Sequence, residues 1–168
     1  PNRLIIMGGS AGGYTTLASL AFRPGVFAAG ISDYGIGDLV GLAECTHKFE
    51  SRYLDSMVAP YPEGIDIYKA RSPQEHSDKI TTPLLLLQGE DDRVVPPSQA
   101  LSMANALNER EVPHALVLFK GEGHGFRMAK NIEASYRHKL SFLGQVLGLD
   151  PADVGEEHIE IKHHCPRA

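Results

Sequence analysis

The feature that most constrains this chain is a short apolar run that stops at two glycines and a serine. Leu4–Met7 is continuously apolar, which is typical of a strand buried on both faces of a parallel sheet. After Gly8-Gly9-Ser10-Ala11-Gly12, apolar or aromatic residues recur with helical spacing at positions 14, 17, 18 and 21. The sequence therefore predicts a strand, a tight turn that carries Ser10, and a helix.

Three later segments are also predicted to be strands, at positions 27–32, 84–88 and 115–119. Helical patterns separate or follow them, the clearest being a stripe that ends at Gly148 and consists of Ile132, Tyr136, Leu140, Leu143 and Leu147. Strands that alternate with such helices pair in parallel through right-handed crossovers. The predicted fold is α/β, with a mostly parallel sheet of about four strands flanked by helices.

The sequence also suggests how the chain is organised. Residues 1–149 are predicted to form the α/β unit, and residues 150–168 a C-terminal tail. Residues 33–82 have weaker periodicity and many turn residues, so they are predicted to cross the carboxyl edge of the sheet, where such folds bind ligands.

Composition excludes several classes of function. The 168 residues carry a net charge of -5 without a basic stripe, so a nucleic-acid partner is not expected. No apolar run approaches the roughly 20 residues that span a bilayer. Cys45 and Cys165 are too few for a disulfide framework and favour a reduced, cytoplasmic setting. His163-His164-Cys165 has no second cluster of ligands, so neither a metal site nor a cofactor is expected.

Ser10 lies in a Gly-x-Ser-x-Gly sequence, which is typical of a nucleophile elbow. In that turn the serine hydroxyl is lifted above the sheet, and Gly8 and Gly12 are the positions predicted to require a small residue. The five residues alone also fit an ordinary strand-to-helix turn. Their position between a predicted strand and a predicted helix favours the elbow.

A serine nucleophile needs a base, and the base needs a group that fixes its tautomer. His124 follows the fourth predicted strand, while Asp91 and Asp92 follow the third. Because the ends of parallel strands point the same way, these loops are expected to converge with Ser10 at one sheet edge. The order Ser, Asp, His is that of α/β-hydrolases. We prefer Asp92 as the acid and keep Asp91 as the alternative.

With these residues in place, the chain resembles the prolyl oligopeptidase family of serine peptidases, in its acylaminoacyl-peptidase and dipeptidyl-peptidase-like branch. The resemblance rests on the motifs at 8–14, 46–53, 88–99 and 121–126. It implies the C-terminal half of an α/β-hydrolase fold, starting at the nucleophile strand. It also implies Ser10, Asp92 and His124 as nucleophile, acid and base, the Ala11 N–H as an oxyanion donor, and hydrolysis of short peptides through an acyl-enzyme.

The chain departs from that family by starting at the nucleophile strand, which is normally preceded by several others. A second oxyanion N–H normally comes from this preceding part. The chain alone is therefore expected to be inactive or poorly folded, and to be a fragment that lacks the N-terminal half of the domain or one that pairs with another copy. Two alternatives stay open, namely a carboxylesterase on the same scaffold and a noncatalytic hydrolase fragment that assembles through its open sheet edge.

Overall fold

The computed structural model describes residues 2–45, 53–152, 154 and 158–165. Of the motif at 46–53, residues 46–52 therefore lie outside the described residues. The sheet has four parallel strands in the order β1-β2-β3-β4, which confirms the predicted α/β fold. The strands are β1 (Ile5–Gly9), β2 (Ala29–Asp33), β3 (Leu84–Gly89) and β4 (His114–Phe119).

Helices connect and flank these strands. They are α1 (Ala11–Phe22), α2 (Leu39–Cys45), α3 (Tyr53–Met57), α4 (Ile65–Arg71), α5 (Pro97–Glu109) and α6 (Ala129–Leu147), with a 3-10 helix at Pro73–Lys79. Helix α6 ends as the sequence predicts, with Gly148 in the left-handed conformation at φ 66°. None of the helices among the described residues is long and apolar enough to cross a membrane.

The sheet is covered on both faces, so the four leucines of β3 are all buried. On one face, Leu84 and Leu86 pack with residues of α1 and α5. On the other face, Leu85 and Leu87 pack with Phe142 and other residues of α6. Because neighbouring residues of a strand point to opposite faces, a continuous apolar run needs this three-layer arrangement.

The segment between β2 and β3 forms a third, smaller cluster around buried Tyr68, whose hydroxyl donates a hydrogen bond to the Ala59 carbonyl at 2.8 Å. Gln99 of α5 fixes the start of this segment, because its amide oxygen accepts from the backbone N–H groups of Gly37 and Asp38. These contacts hold α2, α3 and α4 together as one packed unit.

The buried face of α6 matches only part of the stripe predicted from the sequence. Of that stripe, Ile132, Tyr136 and Leu140 are 37%, 60% and 44% exposed. The buried positions are instead Ser135, Lys139, Ser141, Phe142, Gly144 and Val146. Leu143 and Leu147, the last two residues of the predicted stripe, are partly buried and pack on the core cluster that includes residues of β2 and β3, whereas the first three residues of the stripe are exposed.

The segment after α6 returns to the sheet. Ile159 and Ile161 are buried against the α6 side of the core. The backbone of Lys162 exchanges two hydrogen bonds with that of His114, at 2.9 and 3.2 Å, in an antiparallel bridge beside β4. Lys162 therefore pairs with the first residue of β4 at the edge of the sheet.

Candidate active site

Ser10 lies in the turn between β1 and α1, and its backbone has φ 55° and ψ -119°. A non-glycine residue rarely adopts a positive φ, so the turn is strained. Its N–H donates to the Asp33 carbonyl at 3.0 Å, and its own carbonyl accepts from Tyr14 N–H at 3.0 Å. The strained serine is therefore fixed between the neighbouring strand and the first turn of α1.

The two glycines of the motif have different roles. A Cβ on Gly8 would lie 2.6 Å from the backbone carbon and oxygen of Gly12, so strand and helix can approach only if residue 8 has no side chain. A Cβ on Gly12 would meet nothing within 4 Å among the described residues, so position 12 has room for an alanine and does not require glycine. Gly13 is the second tight position, because its Cβ would lie 2.5 Å from the Gly35 Cα.

Three side chains from three loops meet at the carboxyl edge of the sheet. Ser10 Oγ lies 2.7 Å from His124 Nε2. His124 Nδ1 lies 2.8 Å from Asp92 Oδ2. The structure thus brings together the three residues that the sequence singles out, in the order hydroxyl, imidazole, carboxylate.

The Asp92 carboxylate is buried, with the residue 3% exposed, and is surrounded by hydrogen-bond donors. Its Oδ1 accepts from the N–H groups of Val94 and Val95, each at 2.9 Å. Its Oδ2 accepts from Gln88 Nε2 at 3.3 Å as well as facing His124. Asp91 is exposed, and its backbone N–H donates to the Glu122 carbonyl. The geometry therefore favours Asp92 over Asp91 as the partner of the imidazole.

The loop that carries His124 is anchored by Glu122, which the sequence analysis did not single out. Glu122 is 1% exposed, and its carboxylate accepts hydrogen bonds from Arg127 N–H, Met128 N–H and Asn131 Nδ2 at 2.8 to 3.0 Å. Burial alone would raise the pKa of this carboxyl, but the hydrogen bonds outweigh burial and hold the pKa below its usual value. The side chain stays charged and ties the loop to the start of α6.

Two residues at the end of β2 were also missed. Asp33 pairs with Lys139 Nζ of α6 at 2.5 Å in a mostly buried contact. Burial raises the Asp33 pKa, and the hydrogen bond and charge of Lys139 oppose that rise. Tyr34 places its ring beside His124, with centroids 5.1 Å apart. No motif in the sequence marks either residue, because their partners lie far away along the chain.

A cavity of about 690 Å³ opens beside Ser10, Ala11 and His124. Its walls are mainly apolar and come from Ile36, Leu39, Leu42, Leu54, Met57, Val58, Val94 and Val95, with Tyr14, Tyr53 and Arg71. Among the described residues the lining includes no carboxylate. Such a cavity, close to the size of a small-ligand site, suits an apolar or aromatic group rather than a cationic one.

Ala11 is the first residue of α1 and lines this cavity directly after Ser10. The first N–H groups of a helix have no carbonyl partner inside the helix, and the helix dipole favours negative charge there. The Ala11 N–H is therefore available to an oxygen that becomes negative beside Ser10. Among the residues that the structure covers, no group of three histidine, cysteine or carboxylate side chains could hold a metal ion.

The parallel sheet, the strained serine turn and the Ser-His-Asp arrangement define an α/β-hydrolase type of protein. Comparison with known families refines this class. The model of the prolyl oligopeptidase family matches residues 1–150, and the chain belongs to that family.

Known proteins agree with this assignment. The chain is 31% identical over 161 residues to dipeptidyl aminopeptidase BIII of Pseudoxanthomonas mexicana and 30% identical over 153 residues to dipeptidyl peptidase family member 6 of Caenorhabditis elegans. These matches cover 93% and 88% of the chain but only 23% and 21% of the relatives. A Mycobacterium tuberculosis puromycin-hydrolyzing peptidase is similar in structure, with a TM-score of 0.87 and 47% identity over 90% of this chain and 23% of that one. The chain thus spans under a quarter of each.

Proposed function

We propose that this chain is the nucleophile-bearing part of a serine peptidase that hydrolyses short peptides and aminoacyl amides. The observation that carries the proposal is the continuous contact from Ser10 through His124 to buried Asp92 at the mouth of an apolar cavity. Membership of the prolyl oligopeptidase family supports it. The activity belongs to the full polypeptide that contains these residues.

In this mechanism His124 Nε2 accepts the Ser10 proton while Ser10 Oγ attacks the carbonyl carbon of the scissile amide. The carbonyl oxygen becomes negative in the tetrahedral intermediate and is stabilised by the Ala11 N–H. The C–N bond then breaks, and His124 returns its proton to the leaving amine. Water, activated by the same imidazole, hydrolyses the resulting acyl-enzyme and regenerates the serine hydroxyl.

Asp92 keeps the His124 proton on Nδ1, so that Nε2 is the free acceptor towards Ser10. Because Oδ1 is occupied by two backbone N–H groups, Oδ2 is held towards the imidazole. The buried carboxylate also stabilises the imidazolium that forms during the attack.

The lining of the cavity supports a proposal about the preferred substrates. A mainly apolar lining favours an apolar or aromatic side chain on the residue that acylates Ser10, and Arg71 disfavours a cationic one. Similarity to a puromycin-hydrolyzing peptidase agrees with a site that accepts an aminoacyl amide. We therefore propose an apolar or aromatic aminoacyl group as the acyl part of the substrate.

Further polypeptide is proposed to complete the site. Strand β1 is an edge of the sheet within the described residues, and Met7, on the same sheet face as core residue Ile5, is 51% exposed. An open apolar edge normally pairs with another strand. The part that covers it would also bring a second oxyanion N–H, because the loop that normally supplies this N–H precedes the nucleophile strand.

The experiment uses the full polypeptide, with leucyl, phenylalanyl and lysyl p-nitroanilides, puromycin and a short acyl ester as substrates. The wild type should hydrolyse the leucyl and phenylalanyl amides faster than the lysyl amide, and a fluorophosphonate probe should label it. Ser10→Ala should abolish both the amide hydrolysis and the labelling by the probe. Retained labelling in Ser10→Ala would remove Ser10 as the nucleophile, while ester cleavage without any amide cleavage would favour the esterase alternative.

A further inference from the structure

No side chain of an adjacent residue contacts the ring of the site's histidine, because both of its neighbours are glycines. His124 lies between Gly123 and Gly125, and Gly125 has a φ of 90°. Its hydrogen bonds to Ser10 and Asp92 fix the two ring nitrogens, but the ring can still turn about the line that joins them or withdraw from the serine. A ring in this position needs a side contact to remain in place.

Tyr34 supplies such a contact. Its ring lies edge-to-face with the imidazole, with centroids 5.1 Å apart and an angle of 67° between the planes. Phe126 contacts the same tyrosine ring at 5.3 Å and 86°, and Phe126 itself packs on Phe119 at 4.6 Å. The imidazole is therefore supported by a row of aromatic rings that ends on β4.

The backbone of Tyr34 adopts a strained conformation. Its φ is 39°, in the left-handed region that non-glycine residues avoid. The Tyr34 N–H donates to the Leu87 carbonyl at 2.7 Å, while the carbonyl of the preceding Asp33 accepts from Ser10 N–H at 3.0 Å. The Asp33 side chain is tied to Lys139 of α6. One two-residue segment thus contacts both the serine turn and the histidine.

The other end of the ring lies over Gly9, the residue before the serine. A Cβ on Gly9 would come within 3.0 Å of the Tyr34 hydroxyl oxygen and one ring carbon. Burial, followed by the negative charge of Asp33, the neighbouring Tyr136 and the charge of Asp92, raises the pKa of Tyr34. The phenol remains uncharged at neutral pH, and the edge-to-face geometry makes its contact with the imidazole one of ring packing.

We propose that Tyr34 is a positioning residue for His124, whose ring holds the imidazole between Asp92 and Ser10. The inference rests on the proposed function, because it assigns Tyr34 a role only if His124 is the base. It assigns the role to the aromatic ring and none to the hydroxyl.

Three variants of the full polypeptide separate ring, hydroxyl and backbone strain. Tyr34→Leu removes the ring, Tyr34→Phe keeps it, and Tyr34→Asn removes it while relieving the strain, since asparagine tolerates a positive φ. For the Leu and Asn variants we expect kcat to fall at least about tenfold with KM nearly unchanged, because a small misplacement of a catalytic group costs up to about 100-fold. Fluorophosphonate labelling should slow in parallel, and Tyr34→Phe should restore both rates.

Thermal unfolding of each variant shows whether the fold is retained. The proposal is overturned if Tyr34→Leu keeps wild-type kcat, or if Tyr34→Phe loses as much as Tyr34→Leu, which would assign the role to the hydroxyl. A normal kcat in Tyr34→Asn would also overturn it, since backbone strain would then explain the leucine result. Failure of the proposed function looks different, because the wild type would then be unlabelled or Ser10→Ala would remain active.

Discussion

Replacing Asp92 by asparagine should stop turnover while leaving the fold intact. Asparagine has nearly the shape of aspartate, so the buried site can accommodate it. What changes is the hydrogen bonding, because only donors surround this carboxylate. Oδ1 accepts from Val94 and Val95 N–H, and Oδ2 faces His124 Nδ1 and Gln88 Nε2.

The two possible orientations of the asparagine side-chain amide differ in free energy. With its oxygen towards Val94 and Val95, the NH2 group faces His124 Nδ1, which must then accept a hydrogen bond and leave the ring proton on Nε2. The opposite orientation would set NH2 against two buried backbone N–H groups, and each unsatisfied donor costs about 1–3 kcal/mol. The first orientation is favoured, and its imidazole cannot accept the Ser10 proton. The same substitution in a Ser-His-Asp triad lowers kcat about 10⁴-fold, which is about 5.4 kcal/mol at about 1.36 kcal/mol per tenfold.

The assay is kcat on leucyl p-nitroanilide in the full polypeptide, with Asp91→Asn as the matched control. Asp91 is exposed and its backbone, not its side chain, bonds to the Glu122 carbonyl, so the control should stay within about threefold of wild type. Thermal unfolding verifies that both variants are folded. If Asp92→Asn stays within tenfold of wild type while Asp91→Asn loses activity, the assignment of the acid is wrong.

Two further predictions concern the loops on either side of the histidine and the serine. Because the pKa of Glu122 lies below its usual value in the folded protein, its stabilising effect is present above the unfolded pKa near 4.5 and is lost as pH falls through the folded pKa. Glu122→Gln should lower the free energy of unfolding at neutral pH by about 1–3 kcal/mol. Between pH 5 and 3, the melting temperature of this variant should fall less than that of the wild type. An equal fall of the two melting temperatures would contradict this prediction. In the serine turn, Gly8→Ala should abolish labelling by fluorophosphonate, since its Cβ meets the Gly12 backbone at 2.6 Å, whereas Gly12→Ala, with nothing within 4 Å, should be labelled normally. Equal labelling of these two variants would refute the packing argument.

The sheet could be predicted from the sequence because β1 and β3 are continuous apolar runs followed by glycine. Parallel pairing then required the loops after β1, β3 and β4 to meet at one edge. This rule is geometric and independent of side-chain detail, so it placed Ser10, Asp92 and His124 near one another. The choice between Asp91 and Asp92 needed the structure, because adjacent residues in a loop have no fixed direction.

The residues that support the site, Glu122, Tyr34 and Lys139, could not be predicted, because their roles depend on contacts that form only in the folded chain. Glu122 resembles an exposed loop carboxylate, and only the folded loop shows that it accepts three hydrogen bonds in a buried position. Tyr34 and Lys139 contact partners on other elements at a large separation along the chain. The local hydrophobic periodicity of the sequence does not predict such contacts.

The exposed part of the stripe predicted for α6 supports the same proposal as the edge position of β1 among the described residues. An apolar stripe normally marks the buried face of a helix, yet Ile132, Tyr136 and Leu140 are exposed. Ile5 packs with Phe142 of α6 in one core cluster, and Met7 points to that same face of the sheet because it lies two residues further along β1. Apolar residues therefore remain exposed on both the strand and the helix of this layer. The further polypeptide that we propose beside β1 would bury both groups of residues, and the first half of the α6 stripe would then face a protein interior, as its helical periodicity predicts.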